Sequence, residues 1–341
     1  MIILGIETSC DDTCIAIYDT KYGLIANNKY TQPIHTIFGG VIPKFSSIYH
    51  LNKLISIIKS LLLKLKITNI NAIAYTAGPG LYTSLLIGAY IAYSISYTLN
   101  IPIIGVNHLE GHIFSAMINK TKPHFPFISL LISGGNTQLI DVHNIGHYKL
   151  IGSSLDDSLG ETFDKIAKVL NLSYPGGEKL SYLSNFGKIN KQLIPKILAY
   201  NINFSFSGIK TYYFKQKQLT KKHKYQYKAN LAKSFEEYIL NIMSLKCYKA
   251  LIKYGRSCLI ISGGVSANNN LRKNFINKLK NKINNFTIYF PEKNLCTDNA
   301  AMIAYVGAIR ITSGEKLNNN IIIRPIWSLE KLKYPLLNIL Y

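Results

Sequence analysis

The chain has 341 residues, 48% hydrophobic and 16% charged, which is ordinary for a globular protein and long enough for two domains with sizeable cores. No segment reads as a signal peptide or as an apolar span of membrane length, and five cysteines (Cys10, Cys14, Cys247, Cys258, Cys296) form neither a CxxC pair nor a disulfide framework, so a cytoplasmic protein away from membranes is expected. The formal net charge of +22 suggests a polyanionic partner such as nucleic acid, although a composition rich in Lys, Asn, Ile and Tyr, all with AT-rich codons, is a second source of that charge.

Ile2 to Ile6, Cys14 to Tyr18 and Leu24 to Tyr30 are predicted strands, separated by turn residues at Asp11-Asp12 and Asp19 to Gly23. The first opens the chain at once, so no presequence is expected. A loop with Gly39, Gly40 and Pro43 leads into a helix whose apolar face is marked by Ile48, Leu51, Leu54, Ile55, Ile58, Leu61, Leu62 and Leu65. Ala72 to Thr76 is a buried-type strand ending in Gly78-Pro79-Gly80. Leu81 to Leu99 is helical, and the strand Ile101 to Val106 delivers the chain to His108.

The pattern then restarts. Phe127 to Ile132, Thr137 to Val142 and His147 to Ile151 are strands, and Ser158 to Leu170 is a helix. An irregular stretch from Ser173 to about Lys221 precedes a long helix from Tyr225 to Tyr254. Cys258 to Ser262 is a strand, Asn269 to Lys282 a helix, Phe286 to Phe290 a strand, and Asp298 to Thr312 a final helix. Both halves read strand-strand-strand-helix-strand-helix-strand. This duplication predicts an α/β protein with two lobes, each a mixed sheet with helices, facing each other across a cleft. Residues 1–125 form the first lobe, completed by a C-terminal helix at about 299–325, and residues 126–298 form the second, with insertions.

His108-Leu109-Glu110-Gly111-His112 places two histidines four residues apart on one helical face, able to share a metal ion; an ordinary surface pair has the same spacing. Glu110 lies two residues from each and turns away, whereas a zinc peptidase has its acid directly after the first histidine. The pair therefore suggests a metal and argues against a metallopeptidase. Asp298, in Cys296-Thr297-Asp298-Asn299, is either a third ligand or the N-cap of the last helix. Two histidines and an aspartate with open positions left over suit Fe(II) or Zn(II) acting as a Lewis acid.

The hairpin turns Glu7 to Asp12 and Ser133-Gly134-Gly135-Asn136 fall at equivalent places in the two halves. Each could cradle phosphate with backbone amides or be a plain turn. Ser262-Gly263-Gly264-Val265-Ser266-Ala267-Asn268 joins a strand to a helix, where glycine admits a ligand to the backbone. Asp164 could accept ribose hydroxyls or merely solvate a helix. No Gly-x4-Gly-Lys-[Ser/Thr] loop and no Gly-x-Gly-x-x-Gly after a strand occur, which argues against a Walker site and a dinucleotide fold.

Taken in order, Gly5-Ile-Glu-Thr-Ser-Cys-Asp11, Ala77-Gly-Pro-Gly80, His108-Leu-Glu-Gly-His112, Leu131-Ile-Ser-Gly-Gly135, Gly160-Glu-Thr-Phe-Asp-Lys165, Tyr174-Pro-Gly-Gly177, Phe204-Ser-Phe-Ser-Gly208, Gly263-Gly-Val-Ser-Ala-Asn268 and Cys296-Thr-Asp-Asn299 resemble the tRNA N6-adenosine threonylcarbamoyltransferase family, bacterial branch, once described as glycoprotein endopeptidases. The resemblance runs from Ile2 to about Trp327 and implies a fold like that of actin, hexokinase and the heat-shock chaperone ATPases, built around a nucleotide cleft. It implies transfer of threonylcarbamoyl from threonylcarbamoyl-AMP to N6 of adenosine 37 in tRNAs reading codons that start with A, with AMP released. It further implies that His108, His112 and Asp298 hold iron or zinc, and that Leu131, Ile132, Ser133, Gly134, Gly135, Asp164, Gly177 and Asn268 contact the adenylate. The implied partners are tRNA, a paralogous protein of the same fold and a small P-loop ATPase.

No clear general base stands out, and Asp11 is the nearest candidate. The basic residues from Lys210 to Lys228 are a candidate tRNA contact or a solvated face. Three positions depart from the family pattern: Asp12 stands where Glu is usual, Asn136 where His is usual, and Ala300 where Gly is commoner. The first two leave open a catalytically weak, nucleotide-binding scaffold as the alternative function.

Overall fold

The computed structural model describes residues 1–118, 123–195, 201–215, 225–280, 282–315 and 320–332. Part of the basic stretch between Lys210 and Lys228, and part of the predicted 299–325 helix, lie outside the described residues.

In chain order the elements begin with strands β1 (Ile2–Glu7), β2 (Asp12–Asp19) and β3 (Gly23–Thr31), then helices α1 (Ile34–Phe38) and α2 (Pro43–Leu65). They continue with β4 (Ala72–Gly78), α3 (Tyr82–Leu99), β5 (Ile103–Asn107) and α4 (His108–Phe114). Next come β6 (Phe127–Ile132), β7 (Thr137–Asn144), β8 (His147–Ser153), α5 (Leu159–Val169), α6 (Gly177–Ser184), α7 (Ser207–Lys215) and α8 (Tyr225–Tyr254). The chain ends its regular structure with β9 (Cys258–Ser262), α9 (Asn269–Leu279), β10 (Thr287–Tyr289) and α10 (Ala300–Thr312).

Two compact units result. One comprises the described residues of 1–122, 144–148 and 291 onward, the other those of 123–143 and 149–290. Among the described residues each unit is organised on a five-stranded sheet, ordered β3-β2-β1-β4-β5 in one and β8-β7-β6-β9-β10 in the other. The order is the same in both. The first strand pairs antiparallel with the second and parallel with the fourth, as β1 does with β2 and β4, and β6 with β7 and β9. The duplication read from the sequence is thus a duplication of sheet topology.

In the first unit, β1 and β4 are buried along nearly their whole length, as expected for strands covered on both faces. Helices α3 and α10 both pack on β1 and β4. Helix α10 is apolar almost all round and buries Ala300, Ala301, Ile303, Ala304 and Val306. It lies directly on β1 because Gly5 has no side chain. A Cβ there would stand 2.4 Å from the Ala300 carbonyl oxygen and 2.8 Å from the Ala304 Cβ. In the second unit, α8 buries Leu231, Phe235, Ile239, Met243, Cys247 and Leu251 in one core with Phe163, Tyr213 and Phe275. Their spacing of four residues runs these side chains along α8 as a slowly rotating apolar stripe.

Three local differences from the sequence reading have physical causes. Helix α2 starts at Pro43, earlier than its first periodic apolar residue, because proline is favoured at the first helical position. The stretch read as irregular contains the short helices α6 and α7, of 8 and 9 residues, too brief to show a clear period. Helix α10 starts at Ala300 because Asn299 takes the cap, accepting the Met302 amide at 3.0 Å.

Candidate functional site

In the first unit, β5 ends at Asn107, whose side chain caps α4 by accepting the Leu109 and Glu110 amides at 2.9 and 3.3 Å. This cap starts the helix at His108, so that His108 and His112 stand one turn apart. Their rings lie edge to face, with centroids 4.6 Å apart at 84°. The helix is buried at every residue, so the histidines are not an ordinary surface pair. Helix α4 packs against α10, and Gly111 permits the approach: a Cβ there would be 3.0 Å from Met302 Cγ and 3.1 Å from Ile303 Cδ1.

Asp298 completes the group. Its Oδ1 lies 3.1 Å from His112 Nε2 and 3.6 Å from His108 Nε2. One ligating atom from each of the three residues falls within 4.8 Å of the others. Because Asn299 caps α10, the Asp298 carboxylate is left to the histidines. The N-cap role that its sequence position allowed therefore falls to Asn299. Behind His108, the last residue of β1 supplies a carboxylate, with His108 Nδ1 donating to Glu7 Oε2 at 3.2 Å. Glu7 is fully buried and also accepts the Ser9 amide at 2.7 Å and the Thr76 hydroxyl. From sequence, Glu7 belongs to a turn that is either phosphate-cradling or plain, with no part in the histidine site.

The electrostatics follow from burial against charge. Burial opposes the His108 imidazolium, but Glu7 and Asp298 outweigh it and push its pKa up to about 9. Burial likewise opposes ionisation of Asp298, yet the two histidines hold it well below the usual carboxylate range. His112, buried and next to His108, is held below the ordinary imidazole value.

The donor set fits a divalent transition metal. Two imidazole nitrogens and one carboxylate oxygen converge, which is the ligand type and number of open Fe(II) and Zn(II) sites. A carboxylate fixes the far nitrogen of one histidine, the arrangement that orients a metal-binding imidazole. His112 Nδ1 is buried with no hydrogen-bond partner among the described residues. Its Nε2 is therefore the imidazole atom with a defined polar direction, toward Asp298.

Glu110 is buried and accepts the Tyr148 hydroxyl at 2.5 Å. Asp11 sits half-exposed in the turn between β1 and β2 and forms no ion pair among the described residues. The structure does not bring it into the His108, His112 and Asp298 group. Its neighbour Asp12 is ion-paired with Lys29 and accepts the Thr31 hydroxyl at 2.8 Å.

The remaining sequence-predicted residues lie in the second unit. Leu131 and Ile132 end β6 fully buried, so neither presents surface to a ligand. In the following turn the Ser133 amide donates to the Asn136 carbonyl at 2.9 Å and the Asn136 amide to Ser133 Oγ at 3.1 Å. These bonds engage the Ser133 and Asn136 amides and leave those of Gly134 and Gly135, with open space beside both glycines. Ser158 donates to the Gly134 carbonyl, and Gly160 lets the start of α5 approach: a Cβ there would meet the Ser133 carbonyl oxygen at 2.6 Å.

Asp164, on α5, accepts the Gly176 amide at 2.7 Å, which ties it to the loop before Gly177. Burial pushes its carboxyl pKa up against the Gly176 and Gly177 amides. A Cβ at Gly176 would lie 2.2 Å from the Ala167 Cβ, so packing demands glycine there rather than at Gly177. Asn268 caps α9, accepting the Asn270 and Leu271 amides, and donates to Ser181 Oγ at 2.7 Å. Its side chain is engaged within the unit. Gly263, at φ +89°, brings this loop against β6, where a Cβ would be 2.4 Å from the Ile132 carbonyl oxygen.

Two repeats of one sheet topology define an α/β protein of the actin, hexokinase and heat-shock ATPase fold, here with a histidine-aspartate cluster in the first unit. The fold assignment agrees with full-length HypF in its phosphate- and nucleotide-bound form, which matches at a TM-score of 0.59 and 13% identity over 90% of this chain. HypF from T. kodakarensis matches at 0.59 and 12% over 89%. The chain spans 46% of each of those longer proteins.

A family model, TsaD, tRNA N6-adenosine threonylcarbamoyltransferase, matches residues 23–305. The protein of that name from Wigglesworthia glossinidia brevipalpis is 47% identical over 337 residues, covering 97% of this chain and 98% of its own. The one from Buchnera aphidicola subsp. Baizongia pistaciae (strain Bp) is 46% identical over 335 residues, covering 97% and 98%. The chain belongs to the tRNA N6-adenosine threonylcarbamoyltransferase family, a family of transferases.

Proposed function

We propose that this chain transfers the threonylcarbamoyl group of threonylcarbamoyl-AMP to N6 of adenosine 37 in tRNAs that read codons starting with A, releasing AMP. The observation that carries the reading is the convergence of His108 Nε2, His112 Nε2 and Asp298 Oδ1, in a chain of this transferase family.

The N6 amine is a poor nucleophile because its lone pair is delocalised into the purine. The acyl carbon must therefore come activated, and the mixed anhydride with phosphate provides a good leaving group. A bond forms from N6 to the carbamoyl carbon, the bond from that carbon to the phosphate oxygen breaks, and N6 loses one proton. His108, His112 and Asp298 would hold one Fe(II) or Zn(II) ion, which when bound supplies Lewis-acid charge for anchoring substrate oxygens. Glu7 keeps the His108 ring oriented with Nε2 forward. The Gly134 and Gly135 amides offer donors for a phosphate or for developing negative charge. Asp164, held by the Gly176 and Gly177 amides, is the candidate acceptor of a ribose hydroxyl. Asp11, half-exposed, is the candidate acceptor of the N6 proton.

The same reading calls for tRNA, a paralogous partner of the same fold and a small P-loop ATPase, in the cytoplasm. The net charge of +22 supports the first. Exposed Ile48, Leu51 and Ile55 on α2 and Tyr90 and Tyr97 on α3 support a protein partner. Five free thiols suit a reducing compartment, and among the described residues no helix is long and apolar enough to cross a membrane. A peptidase reading finds no support in Glu110, which is buried against Tyr148.

The test is to incubate the purified chain and its partner proteins with threonylcarbamoyl-AMP and unmodified tRNA, digest the tRNA and search for threonylcarbamoyladenosine by mass. The nucleoside is expected. Its absence, with partners shown to be active, would sink the transferase reading.

A further inference from the structure

The Glu7 and Asp12 carboxylates, where β1 ends and β2 begins, each feel the charge of Asp298. Among the described residues, Lys29 is the one lysine or arginine ion-paired with any of them. It stands on β3 opposite Cys14 of β2, and its ammonium meets the Asp12 carboxylate and, at 3.3 Å, the Thr297 hydroxyl. Thr297 immediately precedes Asp298. We propose that Lys29 is a positioning residue for Asp298: by joining Asp12 to Thr297 it fixes the turn that aims the third ligand at His108 and His112. The inference rests on reading that group as a metal centre.

The Asp298 turn lies before α10 and is held by few bonds. Asn299 Nδ2 donates to the Thr297 carbonyl at 2.8 Å, and the Cys14 thiol approaches the Asp298 carbonyl at 3.5 Å. Both act on the main chain. Lys29 donates to the Thr297 side chain, and it alone of the three ties the turn to β3, by a hydrogen bond from an ammonium that is ion-paired with Asp12. Asp12 is locked from its other side by Thr31, so the clamp has a fixed base.

Removing Lys29 changes local charge less than it changes geometry. Burial already pushes the Asp12 carboxyl up to about 6 against the pull of Lys29. Without the ammonium the Asp12 carboxyl is driven further up, which offsets part of the lost positive charge. What remains is the loss of a restraint on the ligand turn. Groups that hold a metal ligand in place typically change metal affinity about 10- to 100-fold.

The experiment uses the full chain, stripped with a chelator and titrated with Zn(II) against a chromophoric competitor, alongside the thermal midpoint of the stripped protein. Lys29→Met should weaken Zn(II) binding about 10-fold, Thr297→Val should do the same, and the double variant should lose no more than either single. Lys29→Arg should restore affinity to about threefold of wild type or better, because it keeps the charge and reach. Zn(II) binding by a folded Lys29→Met within about twofold of wild type, or fully additive losses, would overturn the positioning role. Wild-type protein that takes up one ion and loses it in His112→Ala, while Lys29→Met binds normally, removes only this inference. A wild type that binds no better than His112→Ala removes the metal centre as well.

Discussion

His112 Nε2 lies 3.1 Å from Asp298 Oδ1, although 186 residues separate them in the chain. Two local features bring them there: Gly111 lets α10 press on α4, and Asn299 caps α10 so that Asp298 need not. Asn299 is 1% exposed, and its amide also donates to the Leu295 and Thr297 carbonyls at 3.1 and 2.8 Å. Asn299→Ala should therefore destabilise the protein by about 2 kcal/mol, the upper end for a lost cap, and release the ligand turn. Urea denaturation measures the first effect and Zn(II) affinity the second. A stable variant with unchanged affinity would mean that the cap does not set the position of Asp298.

The contact of α10 with β1 depends on Gly5. Gly5→Ala would place a methyl 2.4 Å from the Ala300 carbonyl oxygen, a backbone atom that cannot rotate away. The helix must shift, at a cost of about 1–3 kcal/mol by analogy with other overpacked cores. Because α10 follows Asp298 directly, the same variant should bind metal more weakly. Equilibrium unfolding with no loss of stability would contradict the packing account.

Acid sensitivity has an identifiable source in the second unit. Burial raises the Asp156 carboxyl, but the Phe206 amide at 2.7 Å, the Ser205 hydroxyl at 2.7 Å and the Ser207 amide at 3.2 Å outweigh it and hold it below its ordinary value. A carboxylate whose folded pKa is depressed contributes stability that is fully present above its unfolded value, near about 4, and is lost as pH falls through the folded value. Asp156→Asn should thus be less stable than wild type at pH 7, and the gap should close as pH falls below about 4. Urea midpoints measured across that range test it; a gap independent of pH would contradict the assignment.

Much of this was legible in the sequence, because buried strands and turns are encoded locally. The runs Ile2 to Ile6 and Ala72 to Thr76, bounded by turn residues, identified strands at the centre of one sheet, and their repeat after Phe127 announced the second. His108, His112 and Asp298 were legible as motif residues, and the fold brings them together. Their supports were not. Glu7 looked like a turn residue because only the pairing of β1 with β4 places it beneath His108. Lys29 looked like one more lysine on an outer strand, since its partners Asp12 and Thr297 are 17 and 268 residues away. Asn299 and Asp298 are both competent caps, and local sequence cannot choose between neighbours that compete for one role.

The most direct measurement pairs metal content with transfer. Wild type and Asp298→Asn would be purified identically, their Fe and Zn content determined, and single-turnover formation of threonylcarbamoyladenosine followed with partners and threonylcarbamoyl-AMP. The account predicts that the variant loses both its metal and at least about 100-fold in transfer rate, with its fold retained by circular dichroism. A metal-free Asp298→Asn that modifies tRNA at the wild-type rate would contradict it.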